Sequence, residues 1–141
     1  RLTLLQPVPF APVFDCVLVD APCSGLGTLR RDPDIKWRRQ ESDLRRFAEM
    51  ELEMLRHAAE AVRPGGRLIY ATCSSEPEEN DEVVARFLAA RPAFHPAPVR
   101  LPPVAEGLPP VTDDRGWLRT LPHVHGLEAF FAAALARLDD A

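Results

Sequence analysis

Two short apolar runs, separated by one long helical pattern, organise the hydrophobic positions of the chain. The first run covers residues 17–19 and the second covers residues 68–71. Between them, residues 42–62 repeat apolar side chains at helical spacing, with Glu and Arg in the intervening positions. A strand, a helix and a second strand in this order form a right-handed crossover, which leaves the two strands parallel and usually adjacent. The pattern therefore predicts an α/β fold.

Local signals set the expected ends of these elements. A short continuous apolar run is typical of a strand that is buried on both faces of a parallel sheet. Pro22 stops the first strand because proline has no N–H to donate. Ser42 or Asp43 can cap the helix, and the Pro-Gly-Gly of residues 64–66 is expected to end it. The first strand is thus predicted to be central in its sheet.

The second half of the chain predicts shorter elements. Residues 76–91 predict a helix with acidic residues in its first turn, and residues 117–121 predict a short strand. Residues 93–114 are rich in proline and are expected to form a loop. The alanine content of residues 129–137 favours a helix by propensity alone.

A cysteine follows each of the two apolar runs. Cys23 comes after the first and Cys73 after the second. Neighbouring strands lie roughly 4.8 Å apart, and open α/β sheets bind ligands at the carboxyl ends of their strands, so the two thiols should face each other across one crevice. A structural disulfide is disfavoured because Cys16 remains unpaired and nothing suggests secretion. No metal is expected, since the chain lacks the CxxC or HxxxH spacing of a zinc site, and a reactive thiol pair is the favoured interpretation.

Composition and charge narrow the function classes only slightly. The chain has 141 residues, one domain's worth, and its formal net charge of −4 gives no overall nucleic-acid signature. No apolar run approaches the roughly 18 residues that a membrane-spanning helix needs, so no membrane partner is expected. Cysteines that are reduced, as this arrangement implies, indicate a cytoplasmic location.

One segment nevertheless has the composition of an RNA contact. Residues 28–39 contain five cationic side chains and one tryptophan. Cations of this kind contact phosphates, and an aromatic ring provides a stacking surface for bases. Arg30, Arg31 and Lys36 are the better candidates for contacts with the RNA backbone. The alternative is a solvated loop in which Trp37 packs on the domain.

Four motifs in order along the chain resemble one enzyme family. They are residues 20–25 (DAPCSG), 31–37 (RDPDIKW), 71–74 (ATCS) and 77–80 (PEEN). Together they resemble the RNA cytosine-C5 methyltransferases, in particular the Sun/Fmu type of bacterial 16S rRNA enzymes. The resemblance extends from about Phe14 to the end, and residues 121–131 are similar to the closing segment of that family.

The resemblance implies a fold class and a domain organisation. It implies the C-terminal half of a Rossmann-like class I AdoMet-dependent methyltransferase sheet, with parallel strands and an antiparallel strand near the edge. On this view residues 129–137 form the antiparallel strand rather than a helix. The glycine-rich turn and the acidic residue that such a domain places upstream are not among residues 1–141. The chain is therefore expected to be a partial catalytic domain that lacks the N-terminal cofactor-binding half.

The resemblance also implies a reaction and residue roles. The reaction is transfer of a methyl group from S-adenosyl-L-methionine (AdoMet) to carbon 5 of a cytosine in RNA, with rRNA as the expected substrate. Cys73 is implied as the nucleophile and Cys23 as the thiol that assists product release. Asp20 is implied to contact the cofactor. The residues expected to bind the substrate are Pro22, Ser24, Arg31 and Lys36.

The residues themselves leave alternatives open. They do not say which cysteine attacks, because DNA cytosine-C5 methyltransferases use the cysteine of a Pro-Cys pair, which here would be Cys23. A second function class is a non-catalytic RNA-binding or interaction module that keeps a methyltransferase half-fold. An N-methyltransferase is disfavoured, since residues 20–23 read Asp-Ala-Pro-Cys rather than Asp/Asn-Pro-Pro-Tyr.

Overall fold

A five-stranded mixed sheet forms the centre of the structure. The computed structural model describes residues 3–99, 101 and 105–139. The strands are β1 (Phe14–Asp20), β2 (Val62–Thr72), β3 (Phe94–Pro96), β4 (Leu118–Thr120) and β5 (Phe130–Arg137). The helices are α1 (Ile35–Arg38), α2 (Glu41–Ala59), α3 (Asp81–Ala90) and α4 (Pro122–His125), with a 3-10 turn at Leu26–Thr28. None of the described helices is long and apolar enough to span a membrane.

The strand order confirms the predicted topology. The sheet runs β1-β2-β5-β3, and β4 also pairs with β5. Strands β1 and β2 are parallel neighbours joined through α2, as the crossover argument predicts. Strand β5 is antiparallel to β2, β3 and β4. The chain thus has the expected α/β architecture, with a parallel pair of strands and an antiparallel strand beside it.

Strand β5 is the alanine-rich tail, so the strand interpretation of residues 129–137 is confirmed. Phe131, Ala133 and Leu135 are buried, and the residues between them are less so. This alternation is the period of a strand. Pairing on both edges outweighs the helical preference of alanine, because propensity is a weak contribution beside tertiary contacts.

Strand β1 is not buried on both faces, and that expectation is wrong for the described residues. Val19 is buried, but Leu18 is 62% exposed. Within the described chain β1 pairs only with β2 and therefore forms one edge of the sheet. Helix α2 contacts β1, and the side chain of Leu18, which alternates with that of Val19, points away from the core.

Helix α2 packs one apolar face on the sheet, but its ends differ from expectation. The buried residues of this helix are Ala48, Glu51, Leu52, Leu55, Ala58 and Ala59. Gln40 is the N-cap rather than Ser42 or Asp43, and its backbone N–H donates to the Asp43 carboxylate at 3.0 Å. The helix ends at Ala59, and residues 64–66 lie inside β2 rather than ending the helix. There Gly65 takes a positive φ of 70°, beside an irregular register with β1.

Two further boundaries differ from the sequence expectation. Helix α3 begins at Asp81 and not near residue 76, because residues 77–80 form a turn. The proline-rich segment contains the short strand β3, whose Phe94 is buried against Phe87 of α3 with ring centroids 5.3 Å apart. The apolar core therefore lies between the sheet and the helices α2 and α3, and the turn at 77–80 is directed towards the carboxyl ends of β1 and β2.

Candidate active site

Cys23 and Cys73 lie side by side where β1 and β2 end. Their Sγ atoms are 3.1 Å apart, so the prediction that the two thiols face each other is confirmed. Cys23 is buried and Cys73 is partly exposed. Among the described residues the cysteines are free thiols. Cys73 is therefore the more accessible residue of the pair.

Backbone contacts hold the two cysteine loops against each other. The N–H of Ala21 donates to the carbonyl of Ala71 at 2.9 Å, and the N–H of Gly27 donates to the carbonyl of Cys73 at 3.0 Å. A side chain at position 27 would collide with the carbonyl oxygens of Cys73 and Ala129. Glycine is required here because the backbone of one loop rests directly on the other.

The sulfur contact polarises the pair. A hydrogen bond from the Cys23 thiol lowers the pKa of Cys73 to about 7, against an ordinary value of 9.0. The same contact, together with burial, raises the pKa of Cys23. Near neutral pH a large fraction of Cys73 is thiolate, the nucleophilic form of cysteine, while Cys23 keeps its proton.

A buried carboxylate lies beneath the two thiols. Glu79 accepts hydrogen bonds from the backbone N–H of Ser24 at 2.6 Å and from its hydroxyl at 2.6 Å. It also accepts one from the hydroxyl of Ser74 at 2.5 Å. The sequence interpretation placed Glu79 in the first turn of a helix and missed this role. The signal that could have found it is that each cysteine, Cys23 and Cys73, is followed directly by a serine.

The next residue along the chain ties the end of β2 to the same turn. Asn80 accepts from the Thr72 hydroxyl at 2.5 Å and donates to the carbonyl of Ser74 at 2.9 Å. The Tyr70 hydroxyl donates to the carbonyl of Glu79 at 2.6 Å. The residues on both sides of Cys73 are thereby fixed by hydrogen bonds to the turn at 77–80.

A second buried acid on α2 also faces this cluster. Glu51 is fully buried, and neither of its carboxyl oxygens has a hydrogen-bond partner among the described residues. Burial first, and then the charge of Glu79, raise the pKa of Glu51 to about 9. Glu51 is therefore protonated at neutral pH, and an unpartnered buried carboxyl group is not predictable from the sequence.

The other predicted site residues take different positions. Asp20 is exposed at the end of β1, and its charge raises the pKa of Cys73. Pro22 is exposed beside it, whereas Ser24 is fully buried and its hydroxyl faces Glu79 rather than the surface. The described residues contain no group of His, Cys, Asp and Glu side chains arranged to hold a metal ion.

The basic segment, residues 30–39, lies largely on the surface. Trp37 is 82% exposed, so it does not pack on the domain, and the Lys36 ammonium lies 5.5 Å from its ring centroid. Arg31 is bound to the Glu128 carboxylate, with Nε 3.0 Å from Oε1. Its guanidinium is exposed but already paired, while Lys36 and Trp37 are presented to solvent.

Comparisons with known proteins point to one family. Residues 5–136 match the family described as 16S rRNA methyltransferase RsmB/F. The chain is 42% identical over 127 residues to a probable ribosomal RNA small subunit methyltransferase B of Bacillus subtilis, covering 88% of this chain and 28% of the relative. It is 40% identical over 138 residues to the ribosomal RNA small subunit methyltransferase B of Thermus thermophilus, covering 96% and 32%. The chain thus spans less than a third of either relative's length.

A solved structure shows the same fold. The crystal structure of NSun6 from Pyrococcus horikoshii with SFG superposes with a TM-score of 0.66 at 26% identity. The match covers 87% of this chain and 30% of that protein.

Proposed function

The chain belongs to the 16S rRNA methyltransferase RsmB/F family, and from that membership we propose that it carries the thiol chemistry of an RNA cytosine-C5 methyltransferase. The observation that carries the proposal is the thiol pair, with sulfur atoms 3.1 Å apart. In the proposed assignment Cys73 is the nucleophile, because it is the more exposed sulfur and its pKa is lowered to about 7. The substrate is an RNA, with 16S rRNA as the first candidate.

The chemistry needs a thiolate because carbon 5 of cytosine is a poor nucleophile. The Cys73 thiolate adds to carbon 6, and the electron pair of the carbon 5–carbon 6 double bond becomes available at carbon 5. Carbon 5 would use that pair to bond the methyl group, whose bond to the donor sulfur would break with its electron pair left on that sulfur. A covalent bond between protein and RNA therefore precedes methylation, and it must be broken afterwards.

Release of the product breaks the bond between the Cys73 sulfur and carbon 6. A base removes the proton from carbon 5, the electron pair re-forms the double bond, and Cys73 leaves as a thiolate. In the proposal Cys23 assists this departure, which is supported by its hydrogen-bond contact with the Cys73 sulfur. Its own raised pKa keeps it a hydrogen-bond donor to a leaving thiolate.

AdoMet is the proposed donor and supplies the methyl group when bound. Asp20 is exposed at the end of β1, where open α/β sheets bind their ligands. A carboxylate suits the positive charge of a sulfonium. We assign Asp20 to cofactor contact, with a further part in holding the cytosine. We also propose that the chain is the C-terminal part of a longer catalytic domain whose other part completes this site.

The basic segment is the proposed RNA contact. Lys36 and Trp37 are exposed next to each other, which combines a phosphate contact with a stacking platform. Pro22 is exposed beside the thiols and would border the bound base. The free thiols of Cys23 and Cys73 suit a reducing compartment, so a cytoplasmic location is part of the proposal.

The proposal is tested by trapping the covalent adduct in the full-length protein. RNA, AdoMet and protein are mixed at a pH above the pKa of Cys73 and separated on a denaturing gel. Cys73→Ala should abolish the adduct, and Cys23→Ala should accumulate it. An adduct formed through Cys23 would reverse the assignment of the two cysteines. Failure of the unmodified protein to bind AdoMet or methylate RNA would favour a non-catalytic module.

A further inference from the structure

We propose that Glu79 is a positioning residue that sets the separation of the two reactive thiols. Its carboxylate bonds the residue directly after each cysteine, and it does so within one buried cluster. The proposal deepens the proposed function and rests on it for its biological meaning. The geometry itself can be tested without methyl transfer.

The Glu79 carboxylate reaches both cysteine loops. Ser24 and Ser74 belong to loops that are 50 residues apart in the chain. One Glu79 oxygen, Oε2, accepts from both hydroxyls, at 2.6 Å and 2.5 Å. The other oxygen, Oε1, accepts from the Ser24 backbone N–H at 2.6 Å. A single carboxylate therefore connects both cysteine loops. Because it accepts from the Ser24 backbone N–H as well as from the Ser24 hydroxyl, it fixes the main chain of the Cys23 loop and not only a side chain.

Burial makes the contacts of Glu79 rigid. Glu79, Ser24 and Ser74 are at most 1% exposed, so water does not compete for these bonds. The Glu79 backbone is held by the Tyr70 hydroxyl at 2.6 Å. A carboxylate fixed at both its backbone and its oxygens leaves the two cysteine loops little freedom to separate.

The position and the charge of Glu79 change the pKa of Cys73 in opposite directions. Holding Cys23 against Cys73 maintains the hydrogen bond that lowers the pKa of Cys73, the largest influence on it. The negative charge of Glu79 raises that pKa by a smaller amount. A substitution that removes the charge and keeps the contacts should therefore differ in sign from one that removes both.

The experiment compares Glu79→Ala with Glu79→Gln in the full-length protein. The glutamine amide has the same reach, its oxygen can accept from the Ser24 N–H, and its N–H groups can donate to the serine hydroxyls. Alanine keeps none of these contacts. Glu78→Gln is the matched control, because it removes the same negative charge from an exposed side chain one residue away. Thermal unfolding establishes that each variant is folded.

Two readouts report on the thiols. The first is the pH dependence of Cys73 alkylation by iodoacetamide, which gives its pKa. The second is disulfide closure with oxidised glutathione. The Cys73 thiolate attacks one glutathione sulfur and displaces a glutathione thiolate; Cys23 then loses its proton to solvent, attacks the Cys73 sulfur and displaces the second glutathione.

We expect Glu79→Ala to raise the pKa of Cys73 towards 9.0. The same variant should slow disulfide closure about tenfold or more, as a small misplacement of reacting atoms does. Glu79→Gln should keep the closure rate within about threefold and leave the pKa of Cys73 at about 7 or below it. Glu78→Gln should change neither readout.

The proposal is overturned if folded Glu79→Ala shows the thiol pKa and closure rate of the unmodified protein. If Glu79→Ala does not fold, Ser74→Ala removes the contact on the Cys73 side alone, and unchanged readouts in that variant overturn the proposal as well. Methyl transfer by the unmodified protein is measured separately. Its absence alongside the expected thiol shifts would reject the proposed function and leave the role of Glu79 standing.

Discussion

The thiol cluster, formed around Cys23, Cys73 and Glu79, and the basic segment are opposite in construction. In the cluster, Glu79 is fully buried and accepts three hydrogen bonds from two loops. In the basic segment, Trp37 is 82% exposed, and the Lys36 ammonium lies 5.5 Å from the centroid of its ring. Buried hydrogen bonds therefore hold the residues next to the proposed reactive thiols, whereas Lys36 and Trp37, which are proposed to bind RNA, are exposed.

The difference follows from what each region must do. Reacting atoms are effective only when they are held near their reactive geometry before the substrate arrives. Groups that contact a flexible polymer gain from freedom, because their bonds form with phosphates and bases whose positions vary. Perturbing the cluster should therefore change stability and thiol chemistry, while perturbing the exposed Lys36 or Trp37 should change RNA affinity alone.

The largest expected effect concerns Glu51, which is buried without a partner. Its pKa in the folded protein is raised to about 9 from an ordinary 4.5. The folded state therefore holds a proton that the unfolded state releases, and stability falls as the pH rises between these two values. Glu51→Gln, which mimics the protonated acid, should stabilise the protein at pH 8 by on the order of 1–3 kcal/mol.

Urea unfolding at pH 5 and at pH 8 checks this expectation. The gain from Glu51→Gln should be small at pH 5 and larger at pH 8. Glu49→Gln is the matched control on the exposed face of the same helix, where loss of the Arg86 ion pair costs about 1 kcal/mol or less at either pH. An equal effect of Glu51→Gln at both pH values would contradict a protonated Glu51.

The next effect concerns the sulfur contact. Cys23→Ala removes the donor that lowers the pKa of Cys73, so that pKa should rise from about 7 towards 9.0. The thiolate fraction at pH 6 then falls by about two orders of magnitude, but a more basic thiolate is more nucleophilic, and the net loss in alkylation rate is about tenfold. Rates measured with iodoacetamide between pH 5 and 10 test this. An unshifted profile would mean that the contact does not polarise the pair.

The parts of this site that follow from chain order are predictable, and the parts that follow from burial are not. The crossover places Cys23 beside Cys73 because parallel strands end at the same edge of a sheet. That consequence needs only the order of two apolar runs. The burial of Glu79 depends on where the turn at 77–80 points, which chain order does not give. Its acidic residues are explained equally well by the favourable effect of negative charge in the first turn of a helix.

Burial also explains where the sequence-based expectations for the fold differ from the structure. The burial of Leu18 was expected from its apolar neighbours, but burial is set by the elements that cover a strand, which a local run does not reveal. The strand at residues 129–137 runs against the propensity of alanine, and only the family resemblance indicated it. Local patterns thus predict the elements, whereas neighbours in space decide which faces are buried.

The smallest expected effect belongs to Trp37, and it separates binding from folding. Trp37→Ala should weaken RNA binding by about 1 kcal/mol, the lower end of the range for a stacked base, and change the free energy of unfolding by less than about 0.5 kcal/mol. Trp37→Phe keeps an aromatic face and should retain most of the affinity. Fluorescence anisotropy with labelled RNA and urea unfolding measure the two quantities. Loss of stability rather than affinity in Trp37→Ala would show that this ring packs on the domain and does not contact RNA. The contrast between a buried thiol cluster and an exposed RNA-binding segment would then be wrong.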